Sequence, residues 1–197
     1  AKAFLTQCPT QSLWFERFAK GCVKRMGQDV RPDLAISNDV MHKLLQSLEE
    51  DYTNKQGLER RAAAAAACYS VVCYCGSFRG HEVLLVDCYG LVKYLNDTAS
   101  EKYVIIPLLG RFKGEDGSRY HLTPLINVTR SGLAVRKWTQ RWVEILRSEG
   151  RTHGPAFVDQ WGRPLTSRSL ETTIKTKLEE IQENFPGSIP PDVNVWE

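Results

Sequence analysis

The chain has 197 residues, of which 42% are hydrophobic, 25% charged and 10% aromatic, with a net charge of +3. This globular composition excludes a disordered chain, a collagen-like repeat and a small disulfide-stapled scaffold, and the net charge alone does not indicate a nucleic-acid partner. No apolar run reaches the roughly 18 to 20 residues that cross a bilayer, and the N-terminus has no signal-peptide pattern. We therefore expect an intracellular chain with no membrane partner.

The first half of the sequence predicts three helices. Trp14, Phe15, Phe18 and Cys22 share one face of a helix over residues 11–26, which Gly27 and Pro32 end. Ser37 is a suitable cap for a second helix, whose apolar positions repeat at intervals of three and four (Val40, Leu44, Leu45, Leu48). A third helix is predicted over 55–74, and its six consecutive alanines, 62–67, let neighbouring backbones come close.

The second half changes period. The string GSFRG at 76–80 breaks the third helix, and a further helix is predicted from His81 to Leu95. Residues 102–109 and 119–126 then alternate as a β-hairpin, with the turn sequence GEDGS at its tip, and helices follow over 132–149 and 167–183. The predicted fold class is mainly α with a small antiparallel β-hairpin, an α+β arrangement.

Four of the six cysteines lie on apolar, helix-like stretches, where a free thiol behaves as a small hydrophobe (Cys68, Cys73, Cys75, Cys88). Cys73 and Cys75 have C-x-C spacing, unlike a zinc knuckle, and His81 is the only imidazole near them. We therefore expect reduced thiols, no metal site and no cofactor, which agrees with an intracellular location.

Positive charge is concentrated between residues 111 and 151, where nine basic residues accompany four acidic ones. A charge distribution of this kind suits the phosphate backbone of duplex DNA, although a solvated basic helix face is equally compatible with charge alone. The candidate DNA contacts are Arg111, Arg119, Arg130, Arg136, Lys137 and Arg141.

Two residues outside the regular elements are candidates for chemistry. Arg79 lies in the glycine-flanked helix junction, and Glu82 is three residues later, so the two could form a local surface ion pair instead of a site. Lys113 lies at the predicted hairpin tip, where a mobile ammonium could reach a phosphate, or where lysine merely protects a sheet edge.

The order of these features resembles the catalytic domain of the tyrosine recombinases, the phage-integrase superfamily, over about residues 35–185. The resemblance rests on GSFRGHEVLLVD, the hairpin GRFKGEDGSRYHLTPL, SGLAVRKWTQRWVEIL and GPAFVDQWGRPLTSRSLETTI. Arg79 and Glu82 fit the family's G-x-R-x-x-E pattern apart from one extra residue after Gly76. GRFK resembles the Cre-type recombinases, and FRGHE and GRFKGE are similar to strings in recombinase-like proteins of eukaryotic mobile elements.

The resemblance implies metal-free DNA breaking and rejoining, in which a tyrosine hydroxyl attacks a phosphodiester and forms a 3′-phosphotyrosyl link. Arg79 is then expected to hold the non-bridging oxygens, and Lys113 to protonate the leaving 5′-oxygen as general acid. Glu82 would orient Arg79 or its helix. The implied partner is duplex DNA with self-association on it, and a eukaryotic source would place the protein in the nucleus.

The family's second arginine in an H-x-x-R motif and its nucleophilic tyrosine have no counterpart here. None of His42, His81, His121 and His153 has an arginine three residues later, and no tyrosine follows Tyr120. We therefore expect a helical lead-in at 1–34 and an incomplete catalytic domain at 35–197, truncated at its C-terminus and inactive alone.

Two other functions stay open. The fold could act as a non-catalytic DNA-binding remnant, or as a helical protein-interaction domain with no nucleic-acid role. In the second case Trp138 and Trp142, four residues apart, would fill either a core or a partner groove, of which the core is favoured.

Overall fold

The computed structural model describes residues 36–96, 102–110 and 120–189, and the predicted helix over 11–26 lies outside them. The described part is mainly helical with one two-stranded antiparallel sheet, which confirms the predicted α+β class. Its elements are α1 (Asn38–Asn54), α2 (Gly57–Gly76), α3 (Gly80–Val83), α4 (Cys88–Asn96), β1 (Tyr103–Leu109), β2 (Tyr120–Ile126), α5 (Val135–Ser148) and α6 (Ser167–Asn184).

The start of α1 confirms the predicted cap. The backbone N–H of Val40 donates to the Ser37 hydroxyl at 3.3 Å, which satisfies one of the free amides of the first turn. The predicted apolar positions of α1 are buried against α2 and α6. The sequence pattern therefore located both the beginning of this helix and its core-facing side.

Helix α2 is the centre of the molecule. It contacts α1, α3, α5, α6 and β2, and Ala63 to Ala67 are each at most 2% exposed. Because an alanine side chain ends at Cβ, three long helices can approach the α2 backbone closely. The alanine run thus specifies a helix surrounded by other elements.

The single helix predicted from His81 to Leu95 is wrong, because the chain leaves helical geometry between α3 and α4. The Asp87 N–H donates to the Pro107 carbonyl at 3.0 Å, and Val86 forms a bridge with Leu108 of β1. The Asp87 carboxylate then accepts from the Gly90 N–H at 2.8 Å and starts α4. Pairing with β1 replaces the helical hydrogen bonds here, and periodicity along the sequence cannot reveal a tertiary partner.

The two strands pair in register from Tyr103 opposite Ile126 to Leu109 opposite Tyr120. The inner face of this hairpin is buried in the core through Val104, Ile106, Leu108 and Leu125. On the outer face Tyr103, Leu109, Leu122 and Ile126 are exposed, whereas Pro107 is buried against Gly90 of α4.

Both tryptophans of α5 are core residues, as the favoured interpretation predicted. Trp142 is fully buried, stacks on Phe157 with ring centroids 5.9 Å apart, and donates from Nε1 to the Ala156 carbonyl at 3.0 Å. Trp138 is 3% exposed and meets Tyr52 edge-on. The segment after α5 is therefore held to the core although it lacks a long regular element.

Cys68, Cys73, Cys75 and Cys88 are free thiols, and all but Cys75 are buried. Within residues 36–96, 102–110 and 120–189, no cluster of three or more acidic, histidine or cysteine side chains could hold a metal ion. None of the helices described there combines the length and apolarity required to cross a membrane.

The packing around α2 predicts unequal effects for two alanines of the same run. Ala66 is fully buried, whereas Ala62 is exposed. Ala66→Leu should lower the free energy of unfolding by about 1–3 kcal/mol, because the core has no room for the larger side chain. Ala62→Leu, the matched control, should leave it nearly unchanged in urea denaturation. Equal losses in the two variants would contradict this account of α2.

Candidate nucleic-acid interface

The candidate site is built at the C-terminal end of α2, where the chain turns sharply. Ser77 adopts the left-handed conformation with φ 52°, and its N–H donates to the Cys73 carbonyl. The Phe78 ring folds back over Gly76 and occupies the volume that a Cβ atom there would need. A glycine at 76 is therefore required by the close approach of this ring.

Arg79 follows this turn and caps α3, with its side chain exposed. Its backbone N–H donates to Glu82 Oε2 at 2.8 Å, so Glu82 holds the main chain of Arg79 rather than its guanidinium. The local Arg79–Glu82 ion pair considered as an alternative is not formed. Among the described residues no acidic side chain pairs with the Arg79 guanidinium, which leaves that group available to an anion.

Gly80 fixes the other side of Arg79. It lies between α2 and α6, where a Cβ atom would overlap the Tyr69 hydroxyl and come within 3.2 Å of Glu171 Oε1. A side chain at this position would therefore push α3 away from the helix pair. The main chain of Arg79 is thus held by the hydrogen bond from its N–H to the Glu82 carboxylate and by the close packing of Gly80.

Tyr69 and Cys73, which lie beneath this junction, are buried structural groups. Burial raises the pKa of Tyr69 far above its ordinary value, and the neighbouring Cys73 and Glu171 raise it further. Burial likewise raises the pKa of the Cys73 thiol to about 12. Both groups are therefore neutral near pH 7, and neither is an activated nucleophile.

The end of β1 runs beside this junction. The Leu109 N–H donates to the Leu85 carbonyl at 2.8 Å, and the Leu85 N–H donates to the Glu82 carbonyl at 3.0 Å. Gly110 lies directly against the Leu85 side chain. Lys113 itself lies outside the described residues, as do Arg111 and Arg119, but it is only three residues, at most about 11 Å of chain, beyond Gly110.

Two of the predicted DNA contacts instead form an ion cluster within the fold. Arg141 binds Glu49 through two hydrogen bonds of 2.6 Å, and Lys137 approaches the same carboxylate at 2.6 Å. The Arg141 guanidinium also stacks on Tyr52 and Trp138, at 4.3 and 4.8 Å from the ring centroids. This cluster joins α1 to α5, so its two cations are largely neutralised before any DNA approaches.

The remaining predicted contacts divide between exposed and bonded positions. Arg130 is exposed in the turn after β2, and among the described residues no acidic side chain pairs with it. Arg136 is half-buried and donates to the Leu95 carbonyl at 3.3 Å. Of the predicted contacts that lie in the described part of the chain, Arg130 is therefore the best placed to meet a phosphate.

Sequence reasoning missed a second ion cluster at the N-terminal end of α2. Arg61 is only 8% exposed and binds Glu149 through two hydrogen bonds, while Arg151 binds the same carboxylate at 2.9 Å. Burial acts to raise the pKa of Glu149, but the two arginines outweigh it and hold the pKa below its ordinary value. Arg61 and Glu149 are 88 residues apart in the sequence, which explains why no local pattern revealed this pair.

Comparison with known proteins finds no matching family model, no matching curated protein and no matching solved structure.

The close approach of Gly80 to the Tyr69 hydroxyl predicts that removing this hydroxyl rescues a substitution at Gly80. Gly80→Ala should lower the free energy of unfolding by about 1–3 kcal/mol, because its Cβ overlaps the Tyr69 hydroxyl. Tyr69→Phe should be nearly neutral, since that buried hydroxyl has no hydrogen-bond partner among the described residues. The double variant should recover most of the loss in thermal denaturation, and simple additivity would contradict the contact.

The Glu49 cluster predicts a loss of stability in acid. Hydrogen bonds from Arg141 hold the pKa of Glu49 below its ordinary 4.5, so its stabilisation is present above that value and disappears as pH falls through the lowered pKa. Glu49→Gln should cost about 1 kcal/mol at pH 7 and less at an acidic pH below the lowered pKa of Glu49. Urea denaturation at the two pH values measures the difference. Glu50→Gln, at the exposed neighbouring position, should have no such pH-dependent effect.

Proposed function

We propose that this chain is the duplex-DNA-binding part of a tyrosine-recombinase-type catalytic domain. In the intact protein that domain would break and rejoin DNA through a 3′-phosphotyrosyl intermediate, and protomers would associate on the DNA. The observation that carries the proposal is the presentation of Arg79: its backbone is fixed by Glu82 and Gly80, while its guanidinium is exposed and free of acidic partners in the described part of the chain.

A guanidinium in this setting suits a phosphodiester. Its planar N–H groups can bind two non-bridging oxygens at once and stabilise the negative charge that develops on them during transfer. Because the supporting turn is held on both sides, little main-chain freedom is lost when the phosphate binds. Glu82 is a positioning residue here, acting through the main chain of Arg79.

Lys113 is the proposed general acid. Support comes from the end of β1, where the Leu109 N–H donates to the Leu85 carbonyl, three residues after Glu82. A lysine ammonium on the segment that follows β1 could protonate the leaving 5′-oxygen. The nucleophile is assigned by the resemblance to a tyrosine downstream of the matched region, and the buried Tyr69 is unsuited to that role.

Arg130 would contact the DNA backbone together with Arg111 and Arg119 of the hairpin tip. Arg136, Lys137 and Arg141, which were candidates on charge, are assigned to internal bonding instead. Should the source be eukaryotic, the DNA partner would place the protein in the nucleus.

DNA binding by the 197-residue chain tests the first part of the proposal. Fluorescence anisotropy with a labelled duplex, between about 50 and 200 mM salt, should give an affinity that falls steeply with salt. Arg79→Ala should reduce the slope of log K against log salt by about one, because one phosphate contact is lost. The 197-residue chain should bind the duplex without cleaving either strand.

Arg163→Ala is the matched control. Arg163 is 70% exposed and pairs with Asp159, whose carbonyl binds Arg61, so it lies near the end of α2 opposite Arg79. Its loss should leave the salt slope unchanged. If Arg79→Ala and Arg163→Ala changed the salt slope equally, Arg79 would not be a DNA contact. Failure of the wild-type chain to bind duplex DNA at low salt would favour a protein-interaction domain.

Covalent trapping tests the catalytic part. A protein extended by its natural downstream sequence should form a covalent complex with a suicide DNA substrate, in which the released strand cannot religate. Arg79→Ala and Lys113→Ala should each abolish or strongly slow trapping while binding persists. Salt-dependent binding without trapping, in an extended protein that contains the tyrosine, would identify a non-catalytic DNA clamp instead.

A further inference from the structure

A tight turn between α5 and α6 presents a tryptophan to solvent. Trp161 is 70% exposed, the highest value among the large hydrophobic side chains in the described part of the chain. The turn is closed by a bridge between Val158 and Pro164, and within it the Gly162 N–H donates to the Asp159 carbonyl at 3.0 Å. The indole ring therefore projects from a short, closed loop.

The Asp159 carboxylate fixes this turn from within. Its Oδ1 accepts from the N–H groups of Trp161 and Arg163, both at 2.9 Å, and its Oδ2 accepts from Arg163 Nε at 2.7 Å. The Arg163 guanidinium also lies over the Trp161 ring, 4.5 Å from its centroid. Outside the turn, Arg151 donates to the Gln160 carbonyl at 2.9 Å. A ring held in this way loses little freedom when a partner covers it, which suits an interface anchor.

A pocket opens beside this turn, at the N-terminal end of α2. Its volume is about 540 Å³, which is larger than one indole ring requires. Gln160, the residue before Trp161, belongs to its lining, whereas Trp161 does not. Both apolar and polar side chains line it, among them Tyr52, Leu58, Arg60, Glu144 and Ile145. An exposed tryptophan and a pocket that can receive one therefore lie side by side on the same surface.

The charges around this pocket are self-complementary. Arg61 and Glu149 line the pocket but bind each other. Arg60 and Glu144 are exposed, and among the described residues neither forms an ion pair; Arg60 instead lies over the Tyr52 ring, 4.4 Å from its centroid. One available cation beside one available anion matches a second copy of the same surface better than it matches the uniformly negative backbone of DNA.

We propose that Trp161, Leu58, Arg60 and Glu144, together the Trp161 face, form a self-association interface between two copies of the chain. A twofold dimer uses the same surface on both copies, so each Trp161 enters the pocket of the other copy, and each Arg60 faces the other copy's Glu144. Leu58, which is 59% exposed, is covered at the rim. Tryptophan and arginine are enriched among the residues that carry most of the energy of an interface.

This dimer does not rest on the proposed DNA-binding function. The Trp161 face lies at the N-terminal end of α2, and Arg79 follows its C-terminal end, about 30 Å of helix away. We therefore expect the two copies to associate without DNA, leaving the Arg79 junction of each copy uncovered.

Sedimentation equilibrium of the full 197-residue chain without DNA tests the proposal. The wild type should dimerise in roughly the 1–100 µM range, and Trp161→Ala should weaken dimerisation at least about tenfold, because the central anchor is lost. Phe185→Ala is the matched control: Phe185 is 67% exposed, nearly as much as Trp161, but lies at the end of α6, outside the Trp161 face. Its replacement should leave the dissociation constant unchanged.

Arg60→Glu and Glu144→Arg test the pairing between copies. Each variant alone should dimerise weakly, because like charges then face each other. An equimolar mixture of the two variants should form a heterodimer about as well as the wild type, because every charge again meets its opposite across the axis. Recovery in the mixture would also show that both variants are folded.

Three results would overturn the proposal. They are a wild type that stays monomeric over the whole concentration range, equal effects of Trp161→Ala and Phe185→Ala, and a variant mixture that dimerises no better than its components. A monomeric wild type would leave the Trp161 face to a different protein or a small ligand. A dimer weakened by Phe185→Ala alone would place the interface at the end of α6 instead.

Discussion

Close packing around α2 is the constraint on which the rest of this structure depends. Its alanines allow α1, α5 and α6 to approach the same backbone, and the two ends of α2 are then fixed in different ways. At the N-terminal end, Arg61 is nearly buried and is neutralised by Glu149. At the C-terminal end, Phe78 and Gly80 press the chain against the helix pair. The position of Arg79 therefore follows from the position of α2.

The Arg79 junction combines a fixed main chain with an exposed side chain that has no acidic partner among the described residues. Helical scaffolds commonly present functional groups on short connections, because regular elements supply rigidity and the connection supplies access. Here the rigidity comes from the Glu82 hydrogen bond to the Arg79 amide and from the close approach of the Tyr69 hydroxyl to Gly80. Neither of them neutralises the guanidinium, so the arrangement favours an anionic ligand over a purely structural role for this arginine.

The basic segment shows why charge counts alone mislead. Arg141 and Lys137 belong to the excess of positive charge between residues 111 and 151, yet both face Glu49 from another helix. Glu49 lies outside that segment and so does not enter the count. A pair of exposed aromatic rings would have been an attractive DNA-binding feature, but Tyr52 and Trp138 are buried and accept the same guanidinium. The local charge excess thus overstated the number of cations that remain unpaired on this segment.

The sequence by itself determined the helices with strong apolar periodicity, the Ser37 cap, the hairpin and the core positions of Trp138 and Trp142, because these depend on local propensity and on which side chains avoid water. It also singled out Arg79 and Glu82, through glycine punctuation. Only the tertiary structure decided that the chain leaves helical geometry at Asp87, that Glu82 binds the Arg79 amide, and that Glu49 and Glu149 neutralise particular arginines. Except for the Glu82 bond, these interactions join groups distant in the sequence, and all of them depend on atomic positions that residue spacing does not define.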